Sequence, residues 1–121
     1  MKELTKAEEQ VMQILWGLGK GFIKDILAEM PKPKPAYTTV STIVRILEQK
    51  GFVLYTVYGK THEYYPAISR DAYKRFRTKG LLQDYFSGSV KNLVSFFAEK
   101  EKLSVKELDE IMQIAKKSKK K

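Results

Sequence analysis

The sequence predicts a mainly α fold: a winged helix-turn-helix of three helices plus a β-hairpin wing, followed by a C-terminal helical region. Two observations predict it. Between Thr38 and Pro66, apolar residues at helical spacing give way after Gly51 to strand-forming residues. From Ser69 onward the helical spacing returns, in three segments separated by serine and glycine. We therefore expect a winged-helix domain in residues 1–68 and a helical region in residues 69–121.

The first helix begins at a capping box, in which Thr5 is followed three residues later by Glu8. It should end between Gly17 and Gly21, with Trp16 as a packing residue. The positions expected in its buried stripe are Val11, Ile14, Leu15 and Leu18. A second short helix is expected from Phe22 to Met30, because the run PKPKP at residues 31–35 cannot continue a helix.

The third helix has the pattern of a helix that reads nucleic acid. Its expected buried stripe is Val40, Ile43, Val44 and Leu47. Hydroxyl groups crowd its first turn, at Thr38, Thr39, Ser41 and Thr42. A helix in the major groove presents such groups to base edges and its free N–H groups to phosphate. The plainer alternative is that these hydroxyls cap the helix, and that Arg45 pairs within the chain.

The hairpin is expected to run from Phe52, turn at Tyr58-Gly59-Lys60, and return to Pro66, which cannot donate to a ladder. A lysine at its tip suits a phosphate, although turn lysines are commonly just solvated. His62 is either a wing contact or an ordinary strand residue. Lys34 in the proline-rich connector lies near the expected phosphate path or is a solvent-exposed spacer.

Each of these features alone favours the plainer alternative, but together and in this order they favour binding to double-stranded DNA. The candidate DNA-binding residues are Thr38, Thr39, Ser41, Thr42, Arg45, Lys34, Gly59, Lys60 and His62.

The three C-terminal helices carry more apolar residues than short helices can bury among themselves, which indicates a partner. A second copy of the chain is the simplest partner. The candidate dimerisation residues are Leu81, Leu82, Tyr85, Phe86, Val90, Leu93, Val94, Phe97, Leu108, Ile111 and Met112. A twofold dimer would place two reading helices on half-sites about one DNA turn apart, so it predicts a pseudo-palindromic operator.

The composition favours an anionic partner. The chain has 121 residues, a net charge of +9 and a pI near 9.6, which fit nucleic acid or a membrane surface. Five lysines form a basic tail that is also explained as a solubilising segment: Lys116, Lys117, Lys119, Lys120 and Lys121. The sequence shows no signal peptide and no apolar run that could span a bilayer, so we expect a cytoplasmic protein without membrane insertion.

Catalysis and cofactor binding are not expected. The chain has no cysteine and one histidine, and it shows no nucleophile-base set, glycine-rich phosphate loop or metal-ligand spacing. The adjacent carboxylates Glu8-Glu9 and Asp109-Glu110 are explained by favourable interaction with helix dipoles.

The chain resembles the penicillinase-repressor (BlaI/MecI/CopY-type) family of bacterial transcriptional regulators. The resemblance rests on LTKAEEQVMQILW, YTTVSTIVRILEQKGFV, YGKTHEYYP and LVSFFAEKEKLSVKELDEI, and it covers nearly the whole chain. It implies a homodimeric repressor of genes for β-lactam resistance or metal handling. We expect the regulated genes to serve β-lactam resistance, the envelope or transport. By this resemblance Thr39 and Thr42 face the groove and Gly59-Lys60 is the basic wing tip, whereas many members place the helix arginine at the position of Ile46.

Two departures from the family pattern bear on induction. The copper-responsive members use C-terminal cysteines, so the lack of cysteine rules out that mode. The β-lactam-responsive members are inactivated by proteolysis, often at an Asn-Phe bond, which implies a membrane sensor-protease as upstream partner. Here the matching segment is LVSFFA, and Phe96-Phe97 is the candidate cleavage bond.

The function predicted is therefore sequence-specific transcriptional repression by a homodimer on DNA. Two alternatives remain at this point. A winged helix can also serve as a protein-interaction adaptor without specific DNA binding. The second alternative is a module that binds a membrane surface or RNA through its lysine tail.

Overall fold

The computed structural model describes residues 1–100 and 104–119. Within these ranges the elements are α1 (Lys6–Leu18), α2 (Ile23–Ala28), α3 (Tyr37–Gln49), β1 (Val53–Tyr58), β2 (Thr61–Pro66), α4 (Arg70–Phe86), α5 (Val90–Lys100) and α6 (Val105–Lys119). Three helices precede an antiparallel hairpin and three follow it. The predicted mainly α winged-helix fold is confirmed.

The chain forms two compact units, Met1–Arg77 and Thr78–Lys121. The predicted boundary at residue 68 lies about two helical turns earlier. The first turns of α4 belong to the N-terminal unit because Tyr73 is buried there, with its ring against Phe52 at a centroid distance of 5.6 Å.

The core of the N-terminal unit lies between the three helices and the base of the hairpin. Its fully buried side chains are Val11, Met12, Leu15, Ile26, Val40, Val44, Leu47, Phe52 and Val53. Ile14 and Trp16 are partly buried against this core. The expected burial of Leu18 is wrong, since it is 39% exposed. The helix ends at this residue and the chain reverses through Gly19, at φ 84°, so Leu18 lies beyond the core.

Hydrogen bonds between distant parts of the sequence hold the N-terminal unit together. The predicted capping box is present, with Glu8 N–H donating to Thr5 Oγ1 and Thr5 N–H donating to Glu8 Oε1. The hydroxyl of Tyr73 accepts a buried hydrogen bond of 2.8 Å from the N–H of Leu4. Trp16 Nε1 donates to the carbonyl of Ile68. These bonds fix the start of α4 against α1.

The hairpin is anchored to the loop between α1 and α2. Tyr58 pairs with Thr61 across the turn, and Gly59 alone of the two turn residues has a positive φ, as in a type II′ turn. Gly21 exchanges backbone hydrogen bonds of 2.8 and 2.9 Å with Tyr64. This bridge fixes the wing relative to the helices.

Among its described residues, the C-terminal unit has the predicted caps but no buried residue. The hydroxyls of Ser89 and Ser104 accept hydrogen bonds of 3.1 Å from the N–H groups of Asn92 and Glu107. All the buried residues in the described part of the chain lie in the N-terminal unit. No helix among the described residues is long and apolar enough to cross a membrane.

Candidate nucleic-acid interface

Helix α3 is fixed in the core by one face and exposes the opposite face. Val40, Val44 and Leu47 are fully buried. At 100° per residue, the opposite stripe consists of Thr38, Thr42, Arg45 and Gln49, and all four are exposed. The outward face of the helix therefore presents, in this order, two hydroxyls, a guanidinium and an amide.

The hydroxyls of the first turn do not cap the helix. Helix α3 begins at Tyr37 with Ala36 as its N-cap, and no side chain accepts a capping hydrogen bond. The Thr42 hydroxyl donates to the carbonyl of Thr38 at 2.9 Å, so its lone pairs and methyl group face outward. The first turn also has no acidic residue, which leaves the positive end of the helix dipole open to an anion.

The remaining candidates on α3 lie on its flanks or lack a partner. Ser41 is half-buried on the side of the hairpin, and Thr39 is exposed on the other flank. Arg45 makes no ion pair or hydrogen bond with any described residue. The alternative that it pairs within the chain therefore has no support in the described structure.

The wing presents Lys60 at its tip and His62 in its sheet. Lys60 is exposed and has no ion pair with the described residues. Gly59 provides the turn that places it there. His62 is half-buried, with its ring stacked on Tyr55 at a centroid distance of 4.2 Å and an interplanar angle of 5°. The lysine is thus available at the tip, whereas the histidine is engaged within the hairpin.

Lys34 caps the end of α2. Its Nζ donates to the carbonyls of Leu27, Ala28 and Met30 at 3.1, 2.7 and 3.1 Å. An ammonium group has three hydrogen-bond donors, and all three are used in this arrangement. The connector lysine therefore stabilises the C-terminal end of a helix, and contact with a phosphate would require exchanging these bonds.

A cleft of about 660 Å³ lies between α2, α3 and β2. Its lining residues are Phe22, Ile23, Lys24, Tyr37, Ser41, Arg45, Glu48, Gln49, Lys60, Thr61, His62 and Tyr64. It joins the outward side of α3 to the wing. The exposed stripe, the cleft and the hairpin tip thus form one continuous surface of the N-terminal unit.

Sequence reasoning missed two residues of this surface. Gln49 lies seven residues after Thr42 on the outward stripe, a spacing that could have identified it. Lys24 lines the cleft from the first turn of α2, and no sequence pattern placed it there.

An exposed polar stripe on the third helix, an uncapped helix start and a basic hairpin tip define a winged-helix DNA-binding protein. The Penicillinase repressor family model matches residues 4–117. The chain belongs to this family. The family resemblance is confirmed, and the protein is a DNA-binding transcriptional repressor and not an enzyme.

Individual relatives are similar over most of their length. The methicillin resistance regulatory protein MecI of Staphylococcus aureus (strain N315) is 29% identical, over 93% of this chain and 92% of the relative. The penicillinase repressors of Staphylococcus aureus and Bacillus licheniformis are 30% and 25% identical, over 93% of this chain and 90% and 88% of theirs. A solved CopR repressor structure has 26% identity and a TM-score of 0.47, over 56% of this chain and 100% of that chain.

Proposed function

We propose that the protein represses transcription by binding a pseudo-palindromic operator as a homodimer. The observation that carries the proposal is the outward stripe of α3, which joins exposed, hydrophilic side chains to a helix that the core holds in place. Occupancy of a promoter by such a protein excludes the transcription machinery. Action on bacterial DNA places the protein in the cytoplasm.

The residues of the surface divide into two roles. Thr42, Thr39 and Gln49 lie where a helix in the major groove meets base edges, so we assign them to reading sequence. Arg45 and Lys60 carry unpaired charge, and we assign them to phosphate. The open N-terminus of α3 adds backbone N–H groups for a further phosphate.

The C-terminal unit is the proposed dimerisation region. None of its predicted dimerisation residues is buried within the described chain, and Leu81, Tyr85, Val90, Phe97 and Met112 are exposed. Apolar surface of this extent is stabilised by a second copy. Linking two winged-helix domains in this way would raise operator affinity by about 10²- to 10⁴-fold over that of a single domain.

Dimerisation is tested by sedimentation of the intact chain and of Met112→Glu. We expect the unchanged chain to sediment as a dimer and the variant as a folded monomer, because a buried carboxylate opposes association. Lys91→Glu, an exposed α5 residue outside the predicted dimerisation set, is the control for the added negative charge. A monomer for the unchanged chain would refute the dimer.

We further propose that the regulated genes serve β-lactam resistance, the cell envelope or transport, and that a membrane sensor-protease starts induction. The candidate cleavage bond between Phe96 and Phe97 lies in α5, with these side chains 40% and 43% exposed. Mass spectrometry of the protein from induced cells should then show two fragments. Only intact chain after induction would exclude this mode of release.

DNA binding is tested by mobility shift with the chain's own upstream DNA and with random DNA at two salt concentrations. Thr42→Ala should reduce the preference for the operator by about five- to tenfold, as the loss of a base contact does. Lys60→Ala should weaken binding to both DNAs and lower the salt slope by about one. Lys2→Ala, which removes the same charge outside the interface, should leave both unchanged.

Two other outcomes of these mobility shifts would contradict the proposals. Equal binding of the unchanged chain to both DNAs, or no binding, would favour the protein-interaction adaptor. Identical behaviour of Thr42→Ala and Lys60→Ala on operator and random DNA would refute the division of roles.

A further inference from the structure

The cleft between α2, α3 and β2 has the size and shape of a small-molecule site. Its volume of about 660 Å³ falls within the range of ligand pockets in proteins, about 300–1,000 Å³. Three aromatic side chains line it, one from each of these parts: Phe22 at the start of α2, Tyr37 at the start of α3 and Tyr64 in β2. Such walls suit a planar ligand.

Tyr64 places an unused hydrogen-bond donor in this cleft. The residue is 6% exposed, and its hydroxyl has no hydrogen-bond partner among the described residues. Burial raises the pKa of this phenol, and the nearby charge of Glu48 raises it further, so the group stays protonated at neutral pH. Every fully buried side-chain nitrogen and oxygen among the described residues has a hydrogen-bond partner, so this unpartnered hydroxyl is accessible from the cleft.

The charges around the cleft favour an anion. Lys24, Arg45 and Lys60 line it, and none of them forms an ion pair or hydrogen bond with a described residue. Glu48 is the one acidic side chain of the lining. Three positive charges against one negative charge leave an excess of two positive charges among these side chains.

From this geometry we infer that the cleft binds an aromatic carboxylate. The ring packs between the aromatic walls, and the carboxylate accepts from the Tyr64 hydroxyl and is neutralised by the cleft cations. A DNA phosphate also suits these cations, but it has no ring to pack against the aromatic walls. The aromatic walls and the phenol donor between them therefore favour a small planar anion.

The same ligand would regulate DNA binding, a consequence that rests on the proposed function. Arg45 and Lys60 belong both to the cleft lining and to the proposed phosphate contacts. A carboxylate bound between them neutralises charge that the operator requires, so ligand and DNA should compete.

The test is a titration of the intact chain, without DNA, with 2-naphthoate as the probe and backbone ¹H–¹⁵N NMR as the readout. We expect shifts confined to the cleft, at Tyr37, Thr61 and His62, with α1 unaffected. The neutral amide analogue, 2-naphthamide, should bind about tenfold more weakly, and so should the non-aromatic cyclohexanecarboxylate. Shifts scattered over exposed lysines, or equal binding of the amide, would overturn the site.

Variants distinguish binding in the cleft from nonspecific attraction of the ligand to positive charge. Tyr64→Phe removes only the hydroxyl, and we expect about tenfold weaker binding of 2-naphthoate, as for a lost hydrogen bond to a charged group. Lys24→Gln should also weaken binding, whereas Lys6→Gln, outside the cleft, should not. Unchanged affinity of a Tyr64→Phe protein with a native NMR spectrum would refute the assigned role of the phenol.

A separate mobility shift tests whether the bound ligand competes with operator DNA. Saturating 2-naphthoate should weaken operator binding at least about fivefold. Unchanged operator affinity in the saturated protein would overturn the competition and leave the ligand site in place. A chain that binds 2-naphthoate but no DNA would refute the proposed function and support the cleft.

Discussion

Glu8→Gln is the substitution that tests most directly how α3, the proposed recognition helix, is held. Glu8 lies in the first turn of α1, and its Oε1 is 2.6 Å from Nζ of Lys50, the C-cap residue of α3. The pair therefore joins the end of the recognition helix to the start of α1. Glutamine can keep the capping-box hydrogen bond with Thr5, so the change removes the charge and little else.

The expected cost is about 2 kcal/mol of unfolding free energy. Removing one partner of a fully buried ion pair costs about 3–5 kcal/mol because the other charge is left without compensation. Here the side chain of Glu8 is 7% exposed and that of Lys50 is 22% exposed, so water still reaches the lysine and the cost is smaller. For a unit of this size, about 2 kcal/mol lowers the Tm by about 10 °C.

The pH dependence follows from the same geometry. Burial alone raises the pKa of Glu8, but the hydrogen bonds and charge of Lys50 and Thr5 outweigh it, so the net pKa is lowered. A group with a lowered folded pKa stabilises the fold fully above its unfolded pKa of about 4.3. This contribution disappears as the pH falls through the folded value. The stability difference between the two proteins should therefore be constant near neutral pH and shrink in acid.

Urea and thermal unfolding, followed by the fluorescence of Trp16 in the N-terminal unit, measure both effects. Lys50→Met and the double variant complete a cycle that isolates the coupling between the two side chains. A coupling below about 0.5 kcal/mol, typical of a surface pair, would refute the reasoning. A stability difference that stays constant from neutral pH into strong acid would do so as well.

Other contacts give further predictions. Thr5→Ala removes the N-cap of α1 and should cost about 1 kcal/mol in urea unfolding. Tyr73→Phe leaves the buried N–H of Leu4 without an acceptor and should cost about 1–3 kcal/mol by the same measurement. Lys34→Met removes the cation at the end of α2 and should lower stability by about 0.5–1 kcal/mol, with no change in salt slope on random DNA. Truncation after Ala115 should weaken operator binding in mobility shifts without abolishing it, since α3 and the wing remain.

Local signals in the sequence were sufficient for the fold and for most helix starts. Thr5, Ser69, Ser89 and Ser104 each accept a hydrogen bond from a backbone N–H three residues later, a contact that depends only on neighbouring residues. The change from helical to extended spacing after Gly51 likewise placed the recognition helix next to the wing. These features are predictable because their geometry is fixed within a few residues.

Contacts between distant residues were not predictable from periodicity. Glu8 and Lys50 are 42 residues apart, and Leu4 and Tyr73 are 69 residues apart. Each contact depends on how whole helices cross. The cap that Lys34 forms was unpredictable for a related reason, because the path of the proline-rich connector, which returns its side chain to the end of α2, has no periodic signal.

The two units differ in a way that bears on regulation. The N-terminal unit has its own buried core, whereas none of the described residues of the C-terminal unit is buried. The proposed reading surface therefore lies within one chain, and the apolar C-terminal surface is the proposed interface with a second copy. Because the proposed dimer would raise operator affinity, damage to α5 should release the operator while α3 stays unchanged. Repression would then be controlled by the least buried part of the molecule. Local unfolding, which exposes a peptide bond to a protease, costs the least free energy in such a region.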